Sequence, residues 1–218
     1  MDITVEICSE GAGKAIAAWK AGAGRIELCE NLAVGGVTPS RRDIETAVAS
    51  AGIPVNVLIR PRGGDFTYSR SEMDEILEDI RFCGEGVFGG KKVNGVVIGA
   101  LDANGRVDIA RTREMADLAV SLGLSVTFHR AIDVCEDILR GFDDVLSIGG
   151  IDRVLTSGGA ETAFLGRDTI AEMVRRAKGR VSVMAGCGVT GDNALAIVKS
   201  TGIHEIHGSR VEITKALE

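Results

Sequence analysis

Short, β-branched apolar runs recur along the whole chain, at 3–8, 25–30, 55–60, 95–101, 125–131, 153–158, 181–186 and 205–209. The stretches between them carry helix signals. Ser40 to Asp43 and Ser71 to Asp74 have the form of capping boxes ahead of apolar periodicity. Residues 109–123 and 163–179 read as helices closed by Gly123 and Gly179. Strands alternating with helix-length connections imply a parallel sheet. Eight such units predict an α/β fold of the (β/α)8 barrel type, slightly short of the typical ~250 residues. A doubly wound sheet, the rival, usually has fewer strands. The final segment, VEITKALE, leaves room only for a short or missing eighth helix. The seam there is expected to be open or covered by a second subunit, so a homodimer is expected. No linker or composition shift divides residues 1–218, which read as one domain.

Alternation along each strand separates two faces. Val5, Ile7, Ile26 and Leu28 suit the helix side. The opposite face then carries Glu6 and Cys8, Glu27 and Cys29, Asn56, Leu58 and Arg60, Thr127 and His129, Ser182, Met184 and Gly186, and Glu205, His207 and Ser209. A barrel centre is ordinarily filled by Val, Ile and Leu. Here Glu6, Glu27, Arg60, His129 and His207 fall on the inner face, and buried charges must be paired. Either they satisfy one another as an internal network, with Arg60 neutralising Glu6 or Glu27, or they form a site at the C-terminal strand ends, where such barrels carry their chemistry. In the second case Arg60 and Arg62 clamp an anion. His129, oriented by Glu27 or Glu6, and His207 then serve as general acids or bases.

The strand-end loops add candidates. Thr156 to Gly159, Gly186 to Gly188 and His207 to Arg210 are glycine-rich. Loops after the seventh and eighth strands often bind phosphate through backbone N–H groups. Gly186, Gly188, Gly208 and Ser209 are therefore a candidate anion site, with Ser157 and Gly158 beside it; tight turns needing small residues would look the same. Between Arg60 and the next helix, Pro61 stops the strand and Gly63–Gly64 permit a sharp turn, so Arg62 and Asp65 are expected to lie over the opening.

Composition narrows the partners. A net charge of −6 argues against a nucleic-acid surface. No apolar run approaches the ~18 residues of a membrane span. The N-terminal MDITVEICSEG lacks the features of a secretory signal. The five cysteines, Cys8, Cys29, Cys83, Cys135 and Cys187, show no CxxC or disulfide-like spacing, which suits reduced thiols in the cytoplasm. Cys8 and Cys29 point inward from neighbouring strands ~4.8 Å apart. Two thiolates with a thioether such as Met184 suit Cu(I), whereas lone buried cysteines are commonly packing residues. No organic cofactor is evident.

The segments IELCENLAVGGVTPS, IRPRGGDFTYS, VTFHRAID and RVLTSGG together resemble the copper homeostasis protein CutC family, over residues from Ile3 to about Arg210. The resemblance implies a (β/α)8-type barrel, a cytoplasmic location and a role in copper handling. The ligands proposed for the family are cysteines, and Cys8 and Cys29 are the positions that could carry that role here. Cys187 departs from the pattern, since similar proteins tend to have a small residue there. Two functional expectations result: a Cu(I)-binding copper homeostasis protein, or a lyase- or isomerase-type enzyme acting on a small anionic or phosphorylated metabolite.

Overall fold

Eight parallel strands close into a barrel in sequence order in a computed structural model that describes residues 3–217. The strands are β1 (Thr4–Glu10), β2 (Arg25–Cys29), β3 (Val55–Leu58), β4 (Gly95–Ile98), β5 (Ser125–Phe128), β6 (Arg153–Thr156), β7 (Ser182–Ala185) and β8 (Glu205–Gly208). The helices are α1 (Gly11–Lys20), α2 (Arg41–Ser50), α3 (Arg70–Glu85), α4 (Ile109–Ser121), α5 (Ile138–Leu146), α6 (Arg167–Ala177), α7 (Gly191–Thr201) and α8 (Glu212–Ala216). This is the (β/α)8 fold that the alternation predicts, and α8 is short, with five residues.

Local chemistry sets the helix starts. The Ser40 hydroxyl accepts the N–H of Asp43 and opens α2 as expected. At α3 the cap is Ser69, not Ser71: its hydroxyl accepts from Glu72 N–H, and the Glu72 carboxylate accepts the Ser69 N–H. Glu at the third helical position completes that box, which Asp74 does not do for Ser71. Helix α6 begins at Arg167 rather than 163, because Ser157 and Gly158 press directly on Gly166 and the chain must turn before it can wind.

The burial pattern divides as the alternation requires. Val5, Ile7, Ile26, Leu28, Val55, Val57, Val96, Ile98, Val126, Phe128, Val154, Val183 and Ile206 join the core between strands and helices. A small inner cluster contains Cys29, Leu58 and Val97, with Cys8 against it. Below it the interior is polar. Arg25 Nε donates to Glu6 Oε2 at 2.5 Å, and its terminal nitrogen donates to Glu205. Arg153 donates to Glu205 at 3.0 Å, and Asn56 donates to Glu6 at 3.2 Å. The side chain at Gly95 is missing for a reason: a Cβ there would sit 2.5 Å from Ser125 O and 2.9 Å from Asn56 Oδ1.

Two substitutions test this interior by denaturant unfolding. Arg25→Met takes the only guanidinium from buried Glu6, while half-buried Glu205 keeps Arg153, and is expected to lower stability by about 3–5 kcal/mol. Gly95→Ala forces a backbone shift and is expected to cost about 1–3 kcal/mol. A loss below about 1 kcal/mol in Arg25→Met would show that the network is not what holds the floor.

Candidate functional site

The strands carry their inward side chains up to a cavity of about 590 Å3 at the C-terminal mouth of the barrel. Its walls include Cys8, Glu27, Cys29, Arg60, His129 and His207. The site is best described from its floor.

Glu6, fully buried, is the link between floor and cavity. Burial alone would raise its pKa, but the hydrogen bond from His207 and the charge of Arg25 outweigh that and hold it at about 2. The His207 ring bridges two carboxylates, with Nδ1 2.9 Å from Glu6 Oε1 and Nε2 3.4 Å from Glu27 Oε2. Desolvation would push His207 down; the charge of Glu27 and the Glu6 hydrogen bond reverse this and raise it. Burial raises Glu27, with the Glu6 charge adding to the effect. Three carboxylates (Glu6, Glu27, Glu205) therefore face two guanidiniums (Arg25, Arg153) and one imidazole.

Beside Glu27 lie the thiols. Cys8 Sγ and Cys29 Sγ are 3.5 Å apart, and Cys29 Sγ donates to Ser9 O at 3.6 Å. The hydrogen bond with Cys29, burial and the nearby Glu27 charge raise the Cys8 pKa well above the ordinary thiol value. One ligand atom each from Cys8, Glu27 and His207 lies within 4.8 Å of the others. This group of soft and hard donors could hold a metal ion.

The opposite wall corrects several expectations. Arg60 does not neutralise Glu6 or Glu27. Strand β3 ends at Leu58, and the Arg60 guanidinium donates to the carbonyls of Val34, Gly36 and Gly64 at 3.1, 3.0 and 2.7 Å. Arg25 is the residue that meets Glu6. Its signal was available, since it lies two residues before Glu27 on the same alternation; Arg153 relates to Leu155 in the same way.

His129 is not oriented by Glu6 or Glu27. It caps a 3-10 turn at Arg130–Val134, and its Nδ1 accepts the N–H of Ala131 at 3.2 Å. Burial, reinforced by the charge of Arg60, lowers its pKa to about 3. It is a neutral ring and lacks the proton affinity of a general base near neutrality.

Arg62 and Asp65 do not reach over the opening. Arg62 is tied to Asp65 at 3.0 Å and to Glu72 at 2.5 Å, and neither Arg62 nor Asp65 lines the cavity. Ser157 and Gly158 are also occupied elsewhere. The Ser157 N–H donates to Asp133 and the Gly158 N–H to Thr156 Oγ1. Gly186 N–H donates to Thr156 O, and a Cβ there would lie 2.6 Å from Leu155, so that glycine serves packing. Gly188, Gly208 and Ser209 do line the cavity. So does Cys187, whose φ of 81° is unusual for a residue with a side chain. The cavity residues Phe66 and Arg130 were not legible as site residues: Phe66 lies in a loop without strand periodicity, and Arg130 alternates to the outer face of the run 125–131, whereas β5 ends at Phe128 and a 3-10 turn begins at Arg130.

Fold and site together define a (β/α)8 barrel protein with a ligand cavity at the C-terminal mouth and a thiol–carboxylate–imidazole cluster in its wall. A profile of the CutC family matches residues 3–212, and the chain belongs to that family. A CutC family protein of Vibrio cholerae is 40% identical over 207 residues, 95% of this chain and 79% of the relative. One from Xylella fastidiosa is 44% identical over 212 residues, 97% of this chain and 76% of the relative. A crystal structure from Streptococcus agalactiae, of a protein provisionally named copper homeostasis protein CutC, superposes with a TM-score of 0.86 at 34% identity. That match covers 96% of this chain and 99% of the other.

The raised His207 has a measurable consequence. Its folded pKa exceeds the unfolded value of ~6.5, so its contribution to stability is full below that value and is lost as pH rises through the folded one. Urea unfolding from pH 6 to pH 9 is expected to show a decline that is flatter in His207→Gln. Equal slopes would remove His207 as the cause.

Proposed function

We propose that the protein acts in copper homeostasis by holding Cu(I) at Cys8 and Cys29, at the edge of the barrel cavity. The observation that carries this reading is the 3.5 Å separation of the two sulfurs, on adjacent strands and open to the same cavity. Soft thiolates select Cu(I) over the harder divalent ions. Glu27 and His207 stand next to the pair and could supply a further ligand or take up the released proton. Both thiols must lose protons to bind metal, and the high Cys8 pKa makes that step costly at neutral pH. Burial and reversible protonation suit an ion that is taken up and released. Family membership and the name of the Streptococcus agalactiae relative support the copper role. Five free cysteines fit a reducing, cytoplasmic setting. Among the described residues no helix is long and apolar enough to cross a membrane.

A second reading, acid–base chemistry on a small anion, is favoured by the size of the cavity. Glu27 and His207, both with raised pKa, face about 590 Å3, within the range of small-molecule sites and far more than an ion needs. The five-residue α8, with Leu195 on α7 and Val211 just before α8 exposed, supports the homodimer.

A competition titration against a Cu(I) chelator tests the copper reading. Cys8→Ser, Cys29→Ser is expected to weaken binding by more than about 100-fold, beyond the ~10–100-fold loss of an outer-shell partner. Wild-type affinity is expected to rise with pH. Unchanged affinity in the double variant removes the site. A monomer in light scattering at micromolar concentration overturns the dimer.

A further inference from the structure

Three arginines line the cavity, and two of them have carboxylate partners. Arg130 Nε lies 2.9 Å from Asp133, and Arg210 lies 3.5 Å from Glu212. Arg60, only 4% exposed, has no such partner among the described residues. Three backbone carbonyls hold its terminal nitrogens, and its buried Nε–H has no carbonyl or carboxylate acceptor, with the Tyr68 hydroxyl as a polar neighbour of the side chain. Carbonyl dipoles orient a guanidinium without cancelling its charge. A buried charge with no counter-ion is costly to keep.

The same wall offers a second unmet donor. The Phe66 ring lies 4.6 Å from the Arg60 guanidinium carbon and 4.9 Å from the His129 ring centroid. His129 is 5% exposed. Its Nδ1 is occupied as an acceptor, so in the neutral ring the hydrogen sits on Nε2, and that N–H has no partner. Its low pKa keeps the ring neutral. A guanidinium without a counter-ion and an imidazole N–H without an acceptor thus flank one phenyl ring in one cavity wall. Leu32, Val34 and Leu155 line the same space with apolar surface.

We propose that the cavity binds a small organic acid, a carboxylate or a phosphate monoester with a short apolar body, whose acid group pairs with Arg60 and accepts from His129 Nε2–H. The body lies against Leu32, Val34 and Leu155. The anion supplies the missing counter-charge, and the apolar walls exclude water from that pair, which strengthens it. This names the ligand class of the acid–base reading above and rests on it for the use of the cavity. Binding is read without turnover, so an acid that binds and is not converted counts against the enzyme and leaves the binding site standing.

The test is isothermal titration calorimetry of the copper-free full chain with 4-methylpentanoate, isobutyl phosphate and the uncharged 4-methylpentanamide. At least one acid is expected to bind about tenfold or more tighter than the amide, the scale of one charge-assisted hydrogen bond. The tighter of the two acids identifies carboxylate or phosphate as the natural head group. Arg60→Gln is expected to abolish the preference for acid over amide. Arg60 also ties three loop carbonyls, so a wild-type readout stands beside the variant. In arginine-labelled protein the Arg60 Nε–H resonance is expected to shift with acid and not with amide. Equal binding of acid and amide, no binding of either acid, or an unmoved Arg60 resonance at saturation overturns the proposal.

Discussion

Arg25 reaches Glu6 on one side and Glu205 on the other, and the remaining interior charges are arranged around that contact. With Arg25 in place Glu6 stays ionised, although no water reaches it. An ionised Glu6 in turn raises the proton affinity of His207. The His207 ring then stands against Glu27, and Glu27 stands beside the Cys8 thiol. A guanidinium at the bottom of the barrel therefore influences, through four successive contacts, how readily a thiol at the cavity edge gives up its proton. Removing any member leaves a buried group unmatched, which is more damaging than the pair is stabilising.

The architecture was largely legible in the sequence because its determinants are periodic. Eight alternating runs give eight strands, and the alternation of Val5 and Ile7 with Glu6 and Cys8 separates the outer core from the interior without any knowledge of partners. The pairing inside the barrel was less legible. Alternation says that Glu6, Glu27, Arg60 and His207 point inward, but the height of each above the floor depends on strand register. Arg25 lies opposite Glu6 across β1 and β2, whereas Arg60 lies four residues beyond Asn56, the partner of Glu27. The nearest arginine to Glu6 is thus the one at the start of a strand, not the one at an end. The loops were hardest to read. The hydrogen bonds of Ser157 and Gly158 depend on Asp133, a residue 24 and 25 positions earlier, through Thr156, and no local pattern carries that information.

The cavity has two chemically unlike sides. Strands β1, β2 and β8 contribute thiols, a carboxylate and an imidazole, donors suited to a soft cation. The segments after β3 and β5 contribute a guanidinium, a phenyl ring and a neutral imidazole, a surface with no soft donor. Copper at the first side accounts for Cys8, Cys29 and their neighbours. It leaves the second side without a reason, because a cation nearby makes an unpaired Arg60 costlier rather than cheaper. An anion at the second side relieves Arg60 whether or not the thiols hold metal. The cavity as a whole is therefore better matched to two ligands of opposite charge, or to one molecule carrying both characters, than to a bare copper ion.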